Sequence, residues 1–268
     1  MFRVRDSQEV AEYADSIFKW MRESQEDFAM ENHYVDTPIG EKRVTHQGRA
    51  ALIDFVEELH AVFDLIPETL FITIATIDRY LGLKKDLLAG IDDLQQLAVA
   101  AILTVSKYED IIPPSLDELI KQMKRWTDRE TILLRETSIL NELQFQLTIP
   151  TSLRFLERFC RISPKYNSAM DFAEFVIELA NYDFDIVKSL TPAEIAASAL
   201  FIAGLATSGV SKWTKPLEHA TGVTSAKVKE LVRSHFVDLP KWVKETMKGR
   251  NIFRKYQGYA DGYPSLGD

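Results

Sequence analysis

Cysteine is almost missing from this chain: Cys160 is the only one in 268 residues. No disulfide can form within the chain, and a reducing intracellular compartment is expected. Long apolar runs are also missing. None reaches the roughly eighteen residues of a membrane-spanning helix. The opening MFRVRDSQEV lacks the apolar segment of a secretory signal, so a soluble protein is expected. Positive charge is in deficit, with 32 Lys and Arg against 40 Asp and Glu and a net charge of −8. That balance speaks against broad attraction to nucleic acid or to an anionic membrane. Catalytic signatures are lacking too. There is no G-x-S-x-G, P-loop, H-E-x-x-H or C-x-x-C, and the five histidines are scattered without metal-ligand spacing. Glu109 and Asp110 are neighbours, so on a helix they point about 100° apart and cannot act as a facing pair. Neither catalysis nor a metal or cofactor is expected.

What is present is helix. Hydrophobic residues make up 46% and charged residues 27%, enough for a real core in one large or two ordinary domains. Val10, Tyr13, Ile17, Trp20 and Met21 recur at spacings of three and four, which predicts an amphipathic N-terminal helix within residues 1–30. A polar stretch with Pro38 and Gly40 follows. Five helical segments come next: GRAALIDFVEELHAVF, PETLFITIATIDRYLGL, IDDLQQLAVAAILTVSKY, SLDELIKQM and DRETILLRETSILNELQF. Thr127 or Asp128 suits the N-cap of the last. The second half repeats the plan with PTSLRFLERFC, SAMDFAEFVIELANYDFDIV, TPAEIAASALFIAGLAT, TKPLEHATG and TSAKVKELVRSHFVDL. The β-formers in FITIA and FVIEL sit inside longer 3.6-residue patterns, which favours helix.

The two halves align. LAVAAILTVSK (97–107) lies over IAASALFIAGL (195–205) at an offset of 98 residues, and TDRETILLRE (127–136) over TSAKVKELVR (224–233) at 97. Self-similarity at that length indicates a duplicated five-helix domain rather than a solenoid of short units. The duplication acts as an internal control. Lys107 lies over Leu205 and Glu136 over Arg233, so neither charge is needed to build the fold. Lys107 ends a helix that is apolar on two faces, and Glu136 interrupts an apolar stripe of Ile132, Ile139, Leu140 and Leu143. A lysine at a helix C-terminus ordinarily serves the helix dipole, and a helix glutamate is ordinarily solvated. The alternative is a charge pair at the rim of a docking surface, offering hydrogen bonds to a partner.

Several ordered stretches resemble the cyclin box, particularly that of A/B-type mitotic cyclins. The family pattern MRAILVDW, ETL…IDRFL, LQL…ASKYEEIYPP is matched by GRAALIDF (48–55), ETLFITIATIDRYL (68–81) and LQQLAVAAILTVSKYEDIIPP (94–114). The likeness runs through RETSILNELQFQLTIPTSLRFLERF and PAEIAASALFIA, and EYADSIFKWMRE resembles the helix preceding the box, so about residues 9 to 245 are covered. The resemblance implies an all-α protein: an N-terminal helix and linker (1–44), a first, kinase-binding cyclin box (45–148), a second box (149–245) and a tail (246–268), read as loosely docked or disordered. It implies a non-catalytic subunit, of nucleus and cytoplasm, that binds and activates a cyclin-dependent kinase. By position, the kinase-facing residues would be Lys107, Glu136, Tyr108, Thr104, Leu140, Phe145 and Leu147, with Tyr13, Ile17 and Trp20 of the N-terminal helix. Arg49 and Asp54 are expected to form an internal ion pair.

The family's second surface docks RxL-type motifs of substrates and inhibitors. Its matching positions are Gly48, Ala51, Leu52, Phe55, Glu58, Leu94 and Gln95, with Gly48 replacing methionine, Ala51 isoleucine and Phe55 tryptophan. The lost apolar area implies a degenerate patch that binds such peptides weakly. The segment 82–93 is about three residues longer than the family pattern, so the patch edge is expected to be rebuilt. Two other readings share the fold. A transcription factor of the initiation type should carry a basic surface and often a zinc ribbon, against which stand the acidic charge and the single cysteine. An adaptor that has lost kinase binding would not be expected to keep Lys107 and Glu136.

Overall fold

Thr45 sets where the first repeat begins. The structure, a computed structural model, describes residues 13–30, 32–36, 44–83, 91–123, 127–208, 213–237, 239–246, 251–264 and 266. The expectations that involve Val10, Pro38 and Gly40, and the inserted edge at 84–90, lie outside the described residues. Helix α1 (Ala14–Ser24) precedes the repeats. The Thr45 hydroxyl accepts the Gly48 amide at 2.9 Å and so starts α2 (His46–Val62). Pro67 and Glu68 open α3 (Pro67–Leu83), where an absent N–H costs nothing and a carboxyl side chain is at home. After α4 (Ile91–Glu109), Ser115 and Glu118 form a reciprocal capping box for α5 (Leu116–Lys121). Asp128, accepting the Thr131 amide at 2.8 Å, starts α6 (Arg129–Glu142).

The second repeat comprises α7 (Ser152–Ile162), a 3-10 turn (Pro164–Ala169), α8 (Met170–Asn181), α9 (Phe184–Ser189), α10 (Pro192–Ser208), α11 (Lys215–Thr221) and α12 (Ser225–His235). The single helix expected over 168–187 is two. Asp183 accepts the Asp185 and Ile186 amides, a local bond that caps a new helix instead of continuing the old one. Helices α13 (Leu239–Thr246) and α14 (Asn251–Lys255) close the chain. Among the described residues the one extended pairing is an isolated bridge between Val35 and Val44. Helix α4 packs against α2, α3 and α6, and α10 against α7, α8 and α12. Residues Leu97 to Ile102 and Ala196 to Ala203 are buried, and their many alanines let neighbouring helices approach closely on all sides. The protein is thus all-α, with two tandem five-helix repeats, each wrapped around one central helix.

Arg49 is buried in the first repeat, and its partner differs from the expected one. Its Nε and Nη2 donate to Asp78 Oδ1 and Oδ2 at 2.9 and 2.6 Å, and Tyr34 donates its hydroxyl to Oδ1 at 2.5 Å. Arg49 Nη1 also reaches the Asn181 carbonyl at 2.7 Å, which ties the first repeat to the second. Asp54 takes no part. Five residues along one helix place it about 140° from Arg49, and it accepts the Asn251 amide at 3.1 Å instead.

The start of α3 forms a second tie between the repeats. Glu68 accepts the Thr151 hydroxyl at 2.8 Å, and its other oxygen lies 3.4 Å from Arg154 Nε. Burial pushes the Glu68 carboxyl up to about 7, with Arg154 and Thr151 opposing. A raised carboxyl contributes stability below its unfolded value of 4.5 and loses it as pH rises towards 7. At about 1.4 kcal/mol per pKa unit the loss is about 3 kcal/mol. Urea denaturation of Glu68→Gln should therefore gain about that much on the wild type between pH 4.5 and 8; a pH-independent difference would contradict this.

The expectation of a loose C-terminal tail fails for residues 251–264. Ile252 is fully buried, and Tyr256, Tyr259 and Tyr263 pack on Phe172 and Phe175 of α8 with ring centroids 5.4 to 6.3 Å apart. Tyrosines that read as loop residues in a Gly-rich stretch supply apolar faces to a helix that would otherwise expose phenylalanines. The Tyr263 hydroxyl donates to the Phe236 carbonyl at 3.1 Å, which anchors the far end of this strap.

Candidate partner-binding site

Helices α4 and α6 pack side by side and bring Lys107 and Glu136 together. Lys107 Nζ donates to both Glu136 oxygens, at 2.8 and 3.0 Å. The lysine side chain is 49% exposed and the glutamate 13%, so the pair is open on the lysine side. One turn before Lys107, Thr104 is buried. Its hydroxyl donates to the Ala100 carbonyl at 2.8 Å and lies 3.4 Å from Glu136 Oε1. Glu136 is thus held from two sides by α4.

Apolar side chains stand around this pair. Tyr108 is half-exposed, with its hydroxyl hydrogen-bonded to that of Thr148. Leu140, one turn after Glu136, is half-buried. Past the end of α6 the chain reverses through Gln144 (φ 50°) and Phe145 (φ 59°), and the Phe145 amide donates to the Leu140 carbonyl at 2.9 Å. Two consecutive left-handed residues without glycine are a strained choice. They leave Phe145 68% exposed while Leu147, two residues on, is buried. Thr104 and Leu147 therefore offer little open area, and Tyr108 and Phe145 offer much.

Asp110 shapes the loop beyond α4. Its carboxylate accepts the Ile66 amide at 2.9 Å and the Thr69 hydroxyl at 2.6 Å, capping α3. That contact holds the following Ile111 and Ile112 outward, 98% and 86% exposed. Sequence reasoning did not single out these two, although a pair of isoleucines between acids and prolines in a loop is the signal that could have found them. Leu134, on the outer face of α6, is likewise exposed.

Helix α1 divides its apolar residues. Met21 is buried and Phe18 packs on the core under Arg158, 5.1 Å from the ring centre, with Arg158 also bonded to Asp15. Tyr13, Ile17 and Trp20 face solvent. The expected single stripe is two, and its larger half has no partner in the core. At the predicted peptide patch, Leu52 and Phe55 are buried, Gly48, Ala51, Leu94 and Gln95 are half-buried and Glu58 is exposed. Little apolar side chain is open there.

Comparison with known proteins gives the fold and the site a context. The cyclin N-terminal domain matches residues 16–148 and the cyclin C-terminal domain residues 150–260. The chain belongs to the cyclin family. It is 34% identical over 266 residues to Cyclin-B1-1 of Oryza sativa subsp. japonica, covering 96% of this chain and 56% of that cyclin. It is 33% identical over 261 residues to Cyclin-B1-5 of the same plant, covering 96% and 55%. With the G2/mitotic-specific cyclin-B3 of Gallus gallus it shares 32% over 223 residues, covering 83% and 53%. The chain thus spans about half the length of these relatives. A viral cyclin from herpesvirus saimiri has the same fold, with a TM-score of 0.69 at 19% identity over 90% of this chain and 100% of that one. No described helix is long and apolar enough to cross a membrane.

Proposed function

We propose that this cyclin is a non-catalytic subunit that binds and activates a cyclin-dependent kinase of the G2/M type. The observation that carries the reading is the Lys107–Glu136 pair, bonded through both carboxylate oxygens, beside the exposed Tyr108, Phe145, Ile111 and Ile112. A charged, hydrogen-bonding centre ringed by apolar side chains is the composition of a specific protein interface. Tyr13, Ile17 and Trp20 add a second apolar contact from α1. The printed names of the relatives, B-type and G2/mitotic-specific cyclins, support the cell-cycle assignment.

The proposed mechanism is a population shift. A protein kinase is fast only when its Lys–Glu ion pair and its metal-binding Asp are both in place. A cyclin that binds the active arrangement better than the inactive one raises its population by that difference in affinity, without supplying a catalytic group. Co-purification from the native cell, mass spectrometry and a histone-type kinase assay test the reading. Recovery of a cyclin-dependent kinase whose activity depends on this chain is expected; a complex with transcription machinery and no such kinase would overturn it.

The peptide patch is proposed to be weak. Calorimetry with a standard RxL peptide should show an affinity at least about tenfold below that of a patch carrying methionine, isoleucine and tryptophan, since removed apolar contact is worth about 25 cal/mol per Å2. Equal affinity would show that the loss at Gly48, Ala51 and Phe55 is compensated.

A further inference from the structure

We propose that the C-terminal strap, residues 251–264, is a proton-dependent latch across the junction of the two repeats, closed while Glu57 and Glu178 share one proton between their unpartnered oxygens. The inference rests on the fold alone and is independent of kinase binding. Glu57 lies on α2 of the first repeat and Glu178 on α8 of the second, and both are buried. Tyr182, one turn after Glu178, donates its hydroxyl to Glu57 Oε2 at 2.7 Å, which brings α2 onto the same face of α8. From the strap, Lys255 Nζ and the Tyr256 hydroxyl donate to Glu178 Oε1 at 2.6 and 2.8 Å. Helix α14 packs on both α2 and α8, so the three elements meet at this cluster.

Glu57 Oε1 and Glu178 Oε2 remain, buried and without a donor. Two carboxylates face one lysine, and a bare buried carboxylate oxygen is costly. A proton on Glu57 Oε1, donated to Glu178 Oε2, satisfies both oxygens and leaves one anion against one cation. The other ionisable groups around the cluster are Asp54 and His60 on α2, Glu174 on α8 and the Tyr182 hydroxyl at its end. Burial first, and the Glu178 charge second, push the Glu57 carboxyl well above its usual range; Tyr182 and Lys255 oppose and Asp54 adds to the rise. When that proton leaves for solvent, two buried anions face Lys255 alone, and docking of the strap weakens. The contribution is therefore complete at low pH and is lost as pH rises through the folded value.

Limited trypsin digestion between pH 6.5 and 9 tests the latch, because release of the strap exposes Arg254 and Lys255 to cleavage. His60, lowered by burial, is neutral throughout this range. Cleavage at these two sites, normalised to an unstructured reference peptide in the same tube, should rise with pH by up to about tenfold per unit and then level off. Glu57→Gln can accept from Tyr182 and donate to Glu178 at every pH, so its cleavage should stay slow and flat. A flat wild-type profile, or the same rise in Glu57→Gln, overturns the proposal. Should the variant misfold, hydrogen exchange of wild-type amides 251–264 decides. Protection that falls with pH, after correction for intrinsic exchange, supports the latch, and unchanged protection rejects it.

Discussion

Asp78→Ala should destabilise the protein by about 3 to 5 kcal/mol in urea or thermal unfolding. Arg49 is almost wholly buried, and Asp78 is its one carboxylate, bonded at 2.6 and 2.9 Å. Removal of that partner leaves a guanidinium in the core with only the Tyr34 hydroxyl and the Asn181 carbonyl to face. The cost is that of the uncompensated charge, not the worth of the pair. Replacement of both together, Arg49→Met with Asp78→Leu, should recover most of the loss, because it removes both charges and keeps volume. Asp54→Asn should cost less than Asp78→Ala, since Asp54 serves the strap through Asn251. If Asp54→Asn proved as damaging as Asp78→Ala, the assignment of the Arg49 partner would be wrong.

The second large effect is expected on binding. Lys107→Ala or Glu136→Ala should weaken the complex with a cyclin-dependent kinase by about 2 to 5 kcal/mol, roughly thirtyfold to several thousandfold in Kd. Stability of the isolated chain should change by less than about 1 kcal/mol, because Lys107 is half in solvent and an exposed pair contributes little. The split between a large binding loss and a small stability loss distinguishes an interface pair from a structural one. Ile111→Ser and Ile112→Ser share that signature on a smaller scale, as both side chains are in water in the free chain. Calorimetry or surface plasmon resonance with purified kinase measures the first quantity and thermal unfolding the second. Undiminished binding by a folded Lys107→Ala/Glu136→Ala double variant would remove this surface from consideration.

Periodicity and duplication made most of the fold legible in advance. The helix spacings located α2 to α7 and α10 to α12 to within a few residues, because each buries a regular stripe and begins at a recognisable cap such as Thr45, Ser115 or Asp128. The same comparison isolated Lys107 and Glu136, since a duplicated domain shows which charges its architecture can do without. The break at Asp183 was less visible, because a short side chain that caps its own following turn leaves no mark on the apolar pattern.

Pairing between distant segments lay beyond the sequence. Arg49 could be recognised as buried, but which acid meets it depends on how α2 and α3 cross, and the neighbour in sequence points elsewhere. The strap was misread because tyrosines beside glycines look like loop, and only the exposed flank of α8 turns them into core. Along one helix the 3.6-residue repeat dictates faces, so the sequence by itself determined the all-α fold, the two repeats and the residues that stand on the α4–α6 rim. Contacts between helices depend on packing geometry that no local pattern encodes. Tertiary structure alone decided that Asp78 holds Arg49, that Lys107 and Glu136 touch, and that residues 251–264 bind the two repeats together.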